Sequence, residues 1–341
     1  MKTIQHILLA AGLLAASISH AVFIPTVQVG NPGNAAQSSA NRAHGFSEGD
    51  GFGSVGYSYH IGTTPVTNTQ YTAFLNAVAR TNGDPHGLYN TNMGSIVHGG
   101  ISRTGGGTVS DPFTYSVRTA TSGFNNGQSM GEMPVNFVSF WSAARFSNWL
   151  TSGNTETGVY VLDATGITNN TITRDATAWN NGGVAIASEN EWYKAAYYDG
   201  NGGYTLYPTQ SNSITTADAN YDNSVGTVTD VGTYAHVPSH YGTFDQGGNV
   251  WEWNDEILFT SDRGLRSGSF SGSENGLRSS FRLNVDPTGE HANVGFRVSS
   301  LAPIPEPSTY AAILGCLGLA LALMRRKGRR KIGIVDFGMW I

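Results

Sequence analysis

"TFDQGGNVWEWNDE", residues 243–256, sets Asp245, Glu252, Asp255 and Glu256 around Trp251 and Trp253, directly after the pair Gly247-Gly248. Carboxylates beside indoles admit three readings: catalysts, metal ligands, or charges paired inside a core. A glycosidase needs two carboxyl groups facing each other across a cleft, roughly 5 to 9 Å apart, and residues this close in sequence rarely do so. Calcium instead takes several oxygens, mixing carboxylates with backbone carbonyls. A chain that turns at Gly247-Gly248 and then extends brings Asp245, a carbonyl, Val250 and Glu252 to one side, with Trp251 and Trp253 facing the other way into the core. Equally, Glu252 can pair with an arginine beneath a tryptophan layer. Spacing alone leaves calcium and arginine level.

Both ends of the chain read as sorting signals. Lys2 precedes an apolar run from Ile7 to Ala16 that closes on Ser19-His20-Ala21, a small-x-small signal-peptidase pattern. Residues 1–21 are therefore expected to be a signal peptide, and the protein to be exported. Toward the other end, 301–309 is a linker in which Pro305-Glu306-Pro307 bars a helix interior. The segment 310–331 follows, with an apolar stretch from Tyr310 to Met324 and then Arg325, Arg326, Lys327, Arg329, Arg330 and Lys331. The apolar stretch is short for a full span of about 20 residues, and the basic cluster would stay cytoplasmic. This order resembles the PEP-CTERM sorting signal of Gram-negative bacteria. The resemblance implies signal peptidase and an exosortase as processing partners, a transient anchor in the inner membrane, and a cell-surface or extracellular destination, often alongside exopolysaccharide production. Residues 332–341 have no account in this scheme.

Between Val22 and Ile304 there are 12 Lys+Arg and 22 Asp+Glu, a net charge of −10. That acidity argues against a nucleic-acid partner and fits a cation-binding or well-solvated exported protein. The one cysteine, Cys316, lies in the apolar tail segment. The domain itself thus has no disulfide, no thiolate nucleophile and no cysteine metal site.

Glycine is 44 of 341 residues, about 13% against a usual 7% or so, which points to long loops. The 15 Tyr, 15 Phe and 7 Trp argue that those loops are ordered. Helices are expected over 67–80, with the stripe Tyr71, Phe74, Leu75 and Val78; over 139–150 behind Ser139; and over 188–200, which opens with the capping box Ser188-x-x-Glu191. Strands are expected at 26–30, 57–62, 227–234 and 295–300. Such a mixture is no regular βαβ series. It predicts a single irregular, loop-rich α+β domain over 22–300.

Other motifs carry little. "GFGSVG" (51–56) fits G-x-G-x-x-G but lacks the strand before it and the helix after it. His236 and His240 have helical zinc spacing, but Pro238 lies between them. His44, His60, His86, His98 and His291 show no ligand spacing, and there is no G-x-S-x-G nucleophile elbow.

"GGNVWEWNDE", "RSGSF" (266–270) and "NVGFRVSS" (293–300), in that order, resemble the signature of the formylglycine-generating enzyme (sulfatase-modifying factor) family. "VGNPGN" (29–34), "IGTTPVTNTQYTAFLNAVA" (61–79), "MPVNFVSFWSAARFSNWL" (133–150) and "SENEWYKAAYYDG" (188–200) agree with it, so the likeness runs from about Ile24 to Ser300. The resemblance implies an irregular α+β domain related to the C-type-lectin-like fold, with bound structural calcium. Its ligands would be the Asp245 and Glu252 side chains and the Gly248 and Val250 carbonyls. A second calcium site would begin at Asn220 and Tyr221, its remaining ligands falling in a stretch that is shorter here (223–234).

The oxidase branch of that family binds copper through two cysteines after the "GGS-aromatic" element. Here "RSGSFSGSENGLRSSFR" (266–282) has none, and the expected positions fall near Gly272 and Leu277. Copper(I) wants soft thiolates, which glycine and leucine cannot supply, so no copper is expected. The related iron-dependent sulfoxide synthases draw histidines from an extra helical domain, for which the segment before "IGTTPVTN" is too short. The expectation is an exported, calcium-stabilised, non-catalytic surface or matrix binding module for a glycan or peptide. The alternative is an oxidoreductase-type enzyme that works without the cysteine pair, through Asp, Glu and Arg groups of 252–297.

Overall fold

The computed structural model describes residues 22–121 and 126–304. The expected signal peptide, the PEP motif, the apolar segment with its basic cluster, and residues 332–341 all lie outside the described residues. Among the described residues no helix is long and apolar enough to cross a membrane.

In chain order the elements are β1 (Thr26–Val29), β2 (Tyr59–Gly62), α1 (Asn68–Val78), α2 (Asn92–Ser95), β3 (Ile101–Thr104), β4 (Thr114–Val117), α3 (Phe140–Ser152), α4 (Ala164–Thr168), α5 (Ala176–Asn180), β5 (Ala185–Ile186), α6 (Glu189–Tyr197), β6 (Trp251–Leu258), β7 (Asp262–Arg266), a 3-10 turn at Glu274–Leu277, β8 (Leu283–Val285), β9 (Val294–Phe296) and β10 (Val298–Ser300). One sheet runs β1-β2-β10-β5, all antiparallel. The other runs β8-β7-β6-β9, with β6 and β9 parallel. β3 and β4 form a separate hairpin. The irregular α+β class expected from the sequence is the class observed.

The three long helices start where the hydroxyl caps predict. Thr67 caps α1 in a full capping box with Gln70, and Ser188 caps α6 in another with Glu191. Ser139 accepts from the Ser142 N–H, and α3 stops at Gly153, whose φ of 76° is a left-handed conformation that favours glycine. Tyr71, Phe74 and Leu75 of α1 are wholly buried. Phe74 meets Phe146 and Trp149 of α3 with ring centroids 5.4 Å apart. Helix α6 ends at Tyr197 rather than Gly200 and is buried nearly all round, so its predicted stripe of Trp192, Ala195 and Ala196 is only part of its packed surface.

Two strand expectations are corrected. The stretch 227–234 forms no strand: 228–230 is irregular and 231–234 is a turn, and the Asn249 side chain takes both the N–H and the carbonyl of Thr229 (2.9 and 3.1 Å), where a neighbouring strand would otherwise pair. The stretch 295–300 is two strands belonging to two different sheets, and the chain changes sheet at Arg297.

That crossing is held by charge. Arg297 and Glu252 are both fully buried. The guanidinium donates to Glu252 Oε2 (2.6 Å) and Oε1 (2.7 Å), and to the carbonyls of Gly62, Thr63 and Phe244. Trp192 Nε1 adds a third donor to Glu252, at 2.7 Å. Removing one partner of a buried pair leaves an uncompensated charge and costs about 3–5 kcal/mol, whereas apolar replacement of both is far milder. Arg297→Met or Glu252→Leu alone should therefore lower the urea-unfolding free energy by about that amount, and the double variant should recover much of the loss.

Candidate functional site

The loop before β6 is built on left-handed backbone at Asp245 (φ 57°), Gly248 (φ 82°) and Asn249 (φ 62°). At Gly248 a side chain is excluded, because a Cβ would stand 2.2 Å from the Asn220 carbonyl oxygen. The Asn249 N–H donates to that same carbonyl at 2.8 Å. The two regions expected to hold calcium are thus one packed unit.

Of the expected donors around Glu252, each is placed as follows. Both Glu252 oxygens face Arg297, which realises the arginine alternative left open by spacing. The Gly248 carbonyl accepts from Ser267 Oγ at 3.1 Å. Val250 is fully buried in an apolar cluster with Val228 and Phe270. Asp245 Oδ2 accepts from the Gly232 N–H at 2.6 Å. Burial pushes the Asp245 carboxyl up to about 6, against the pull of that N–H and of Arg297. A cation here would meet one carboxylate whose charge is not already paired, not two.

Around Asn220 the accounting differs. Asn220 is buried, its Nδ2 donating to the Thr227 carbonyl (2.8 Å) and to Asn249 Oδ1 (3.3 Å). Its Oδ1 is buried and makes no hydrogen bond; the same holds for Thr229 Oγ1 and Asp230 Oδ1. Burial raises the Asp230 carboxyl. Tyr221 is buried too, its hydroxyl donating to the Ile214 carbonyl at 3.3 Å. Hard oxygens without donors suit calcium, so this group fits the metal better than the Glu252 group does. Among the described residues no three His, Cys, Asp or Glu side chains form a ligating group, so carbonyl, amide and hydroxyl oxygens would have to contribute.

Where the cysteine pair would lie, Gly272 is half-buried, and Leu277 is fully buried among Leu206, Tyr207, Ile214 and Tyr221. The nearby polar groups are Ser269 and Ser271, whose hydroxyls are 3.4 Å apart, and Asn293, which donates to Ser269 Oγ at 3.3 Å. Trp251 and Phe281 pair beside them at 5.8 Å.

Several other charged groups of the 252–297 region are engaged as well. Arg174 lies between Asp255 (2.6 Å) and Glu191 (2.8 Å), so this carboxylate pair is bridged by a cation rather than facing a cleft. Glu189 takes both Arg266 and Arg282, and Glu274 takes Arg278. His44 Nε2 sits 3.2 Å from Ser279 Oγ, but its Nδ1 accepts the Phe46 N–H, so Nε2 carries the proton and cannot deprotonate the serine. His236 is largely exposed, 4.0 Å from Asp218, and His240 packs on Tyr241. "GFGSVG" is irregular chain ahead of β2 and opens no helix.

Sequence reasoning missed Arg297, Arg174 and Trp192 as partners, since each pairing spans tens of residues. It also missed Lys194, whose only signal is that it is the single lysine of the domain. Lys194 is buried, donates to the Asn31 carbonyl at 2.8 Å, and is lowered by burial to about 8. A cation depressed in the folded state binds its proton less well there than in the unfolded chain, so folding becomes relatively more favourable as pH rises between those two values. The unfolding free energy of the wild type relative to Lys194→Met should therefore rise between pH 8 and 10 in denaturant titrations.

Residues 33–301 match the family model described as "Sulfatase-modifying factor enzyme 1-like domain". No curated protein matches the chain. Among solved structures, the chain is similar to Treponema denticola variable protein 1, at 19% identity, covering 83% of this chain and 96% of that one, with a TM-score of 0.51. It is also similar to CarF, at 19% identity, covering 83% of this chain and 100% of that one, with a TM-score of 0.53. At these identities the likeness is one of fold.

Proposed function

Because this chain belongs to the sulfatase-modifying factor enzyme 1-like family, we propose that it is a non-catalytic member: an exported, calcium-stabilised binding module of the cell surface or extracellular matrix. The observation that carries this reading is chemical. The family's copper chemistry needs two soft thiolates, and residues 22–304 contain no cysteine. Leu277, at one of the two expected positions, packs into an apolar cluster instead.

Three further features support it. Many of the carboxylates and arginines that an alternative chemistry would use are held in ion pairs, Glu252 with Arg297, Asp255 with Arg174 and Glu274 with Arg278, while Arg266 and Arg282 hold Glu189. The sorting signals read at both ends favour a surface location. The loops offer hydroxyls, amides and aromatic rings, which suit a polar glycan or peptide, and binding residues concentrate on loops held by a rigid base.

Elemental analysis of the purified protein after mild desalting tests the reading. Calcium near one per chain with copper and iron at background is expected, and incubation with copper(I) and a cysteine peptide should consume no oxygen above a protein-free control. Stoichiometric copper or iron, or measurable peptide oxidation, would overturn it.

A further inference from the structure

We infer that Arg103, with Arg80 beside it, receives the carboxylates of an acidic glycan, a polymer of uronate-type sugars. This rests on the binding-module reading proposed above. It gives that module a ligand class and a place on the fold, the β3–β4 hairpin.

Ten of the eleven arginines in residues 22–304 donate to a carboxylate or to a backbone carbonyl of the domain. Arg103, half-buried on β3, is the exception among the described residues. Its guanidinium lies between two rings, with Cζ 4.6 Å from the Tyr89 centroid and 4.3 Å from that of Phe113. Its one polar side-chain contact among the described residues is with Tyr115. Most of the donors of its five-pronged fork therefore have no acceptor in the chain. Stacking between the rings fixes a side chain that ordinarily keeps many rotamers, so binding an anion would order little more.

Phe113 draws a second arginine to the same place. Arg80, exposed just beyond α1, donates from Nε to the Phe113 carbonyl at 3.1 Å, and the Phe113 N–H donates back to the Arg80 carbonyl at 2.8 Å. Neither arginine has an ion-pair partner among the described residues. Of the nearby carboxylates, Asp84 uses both oxygens on the N–H groups of Leu88 and Tyr89, and Asp111, exposed on the hairpin turn, pairs with neither arginine. Residues 80–118 thus hold three arginines against two aspartates, a net of 3 − 2 = +1 inside a domain of net −10. A guanidinium fork matches a carboxylate in a bidentate pair, and two forks anchored on one residue match a repeated carboxylate. Apolar surface lies with them, from half-buried Phe113 and from Val109, 84% exposed on the same turn. A sugar ring that bears a carboxylate presents a charge and an apolar C–H face together, whereas an acidic peptide side chain ends in the charge alone. That combination favours a glycan.

The test is binding of the purified protein to immobilised polygalacturonate, neutral dextran and poly-L-glutamate. The wild type should bind polygalacturonate, leave dextran unbound, hold poly-L-glutamate more weakly, and release the glycan in about 1 M salt, where charges are screened beyond roughly 3 Å. Arg103→Met keeps its stem between the rings and should weaken binding by about tenfold or more, the worth of a charge-assisted pair. Arg103→Lys keeps the charge without the fork and should weaken it by about threefold, and Arg80→Gln by a similar factor. Arg278→Gln, which removes an arginine already paired with Glu274, should bind like the wild type. The melting temperature of each variant checks that the domain is folded, and Arg80→Gln, at an exposed site, keeps the test decisive if Arg103→Met is not. Polygalacturonate bound equally by folded Arg103→Met and Arg80→Gln overturns the site. Poly-L-glutamate bound as tightly as the glycan overturns the ligand class. A wild type that binds neither polymer overturns the inference and leaves the non-catalytic reading standing, since that reading falls only to a redox metal or to turnover.

Discussion

The structure depends on one buried contact, the Glu252 carboxylate gripped by Arg297. Arg297 is the single residue between β9 and β10, and those strands belong to different sheets. Its five hydrogen bonds reach Glu252 at the start of β6, Gly62 and Thr63 where β2 ends, and Phe244 in the loop that precedes β6. A guanidinium has five N–H donors, so all of them are used. Trp192 of α6 completes the Glu252 shell. Two sheets, a helix and a loop are thereby fixed relative to one another by a single pair of side chains. Buried charge is not in itself stabilising. What it supplies here is direction, since each group draws its partners from segments far apart in sequence.

The same solution recurs wherever irregular backbone enters the interior. Regular elements satisfy their own peptide groups; loops cannot, and each buried carbonyl needs a donor from elsewhere. Arg263 donates to the carbonyls of Asp255 and Ile172 and to Asn170 Oδ1, with the Phe140 ring 4.2 Å away. Arg266 donates to the carbonyls of Ser279 and Phe281 while paired with Glu189. Read from composition, the charges of this domain looked like a solvated surface. Several are inside, acting as cross-links between loops. Eleven of the twelve basic residues of 22–304 are arginines, which follows from the need for planar, many-pronged donors that a lysine cannot provide.

What the sequence disclosed was local. The caps at Thr67, Ser139 and Ser188, the aromatic stripe of α1 and the glycine stop of α3 depend on residues within a turn of one another, and each is where the pattern placed it. What it withheld was the pairing of distant residues. Glu252 to Arg297 is a separation of 45, and Trp192 to Glu252 of 60. The β6–β7 hairpin escaped notice for a related reason. Both faces of early β6 are buried, so polar Glu252 and Asn254 hide the alternation, and its turn places Phe259 and Thr260 at φ 49° and 65° where glycine or asparagine would have announced it. The family's motifs crossed this gap because they record which distant segments occur together, without giving the physical reason. The arginine partner of Glu252 is that reason.

The frame and the expected chemistry are also separable in this molecule. The side-chain hydrogen bonds of Arg297, Glu252 and Trp192 that tie the sheets run to one another and to the carbonyls of Gly62, Thr63 and Phe244, not to Gly272 or Leu277. At Leu277 the replacement contributes packing of its own. Leu277 is wholly buried, and Gly268, with φ 74°, has no room for a Cβ because Leu277 Cδ1 would stand 2.5 Å away. A thiolate needs a donor or a metal beside it, whereas a leucine needs only apolar neighbours. The shape of the domain and the packing of this corner are therefore set by different residues, the first by the Glu252–Arg297 pair and the second by Leu277.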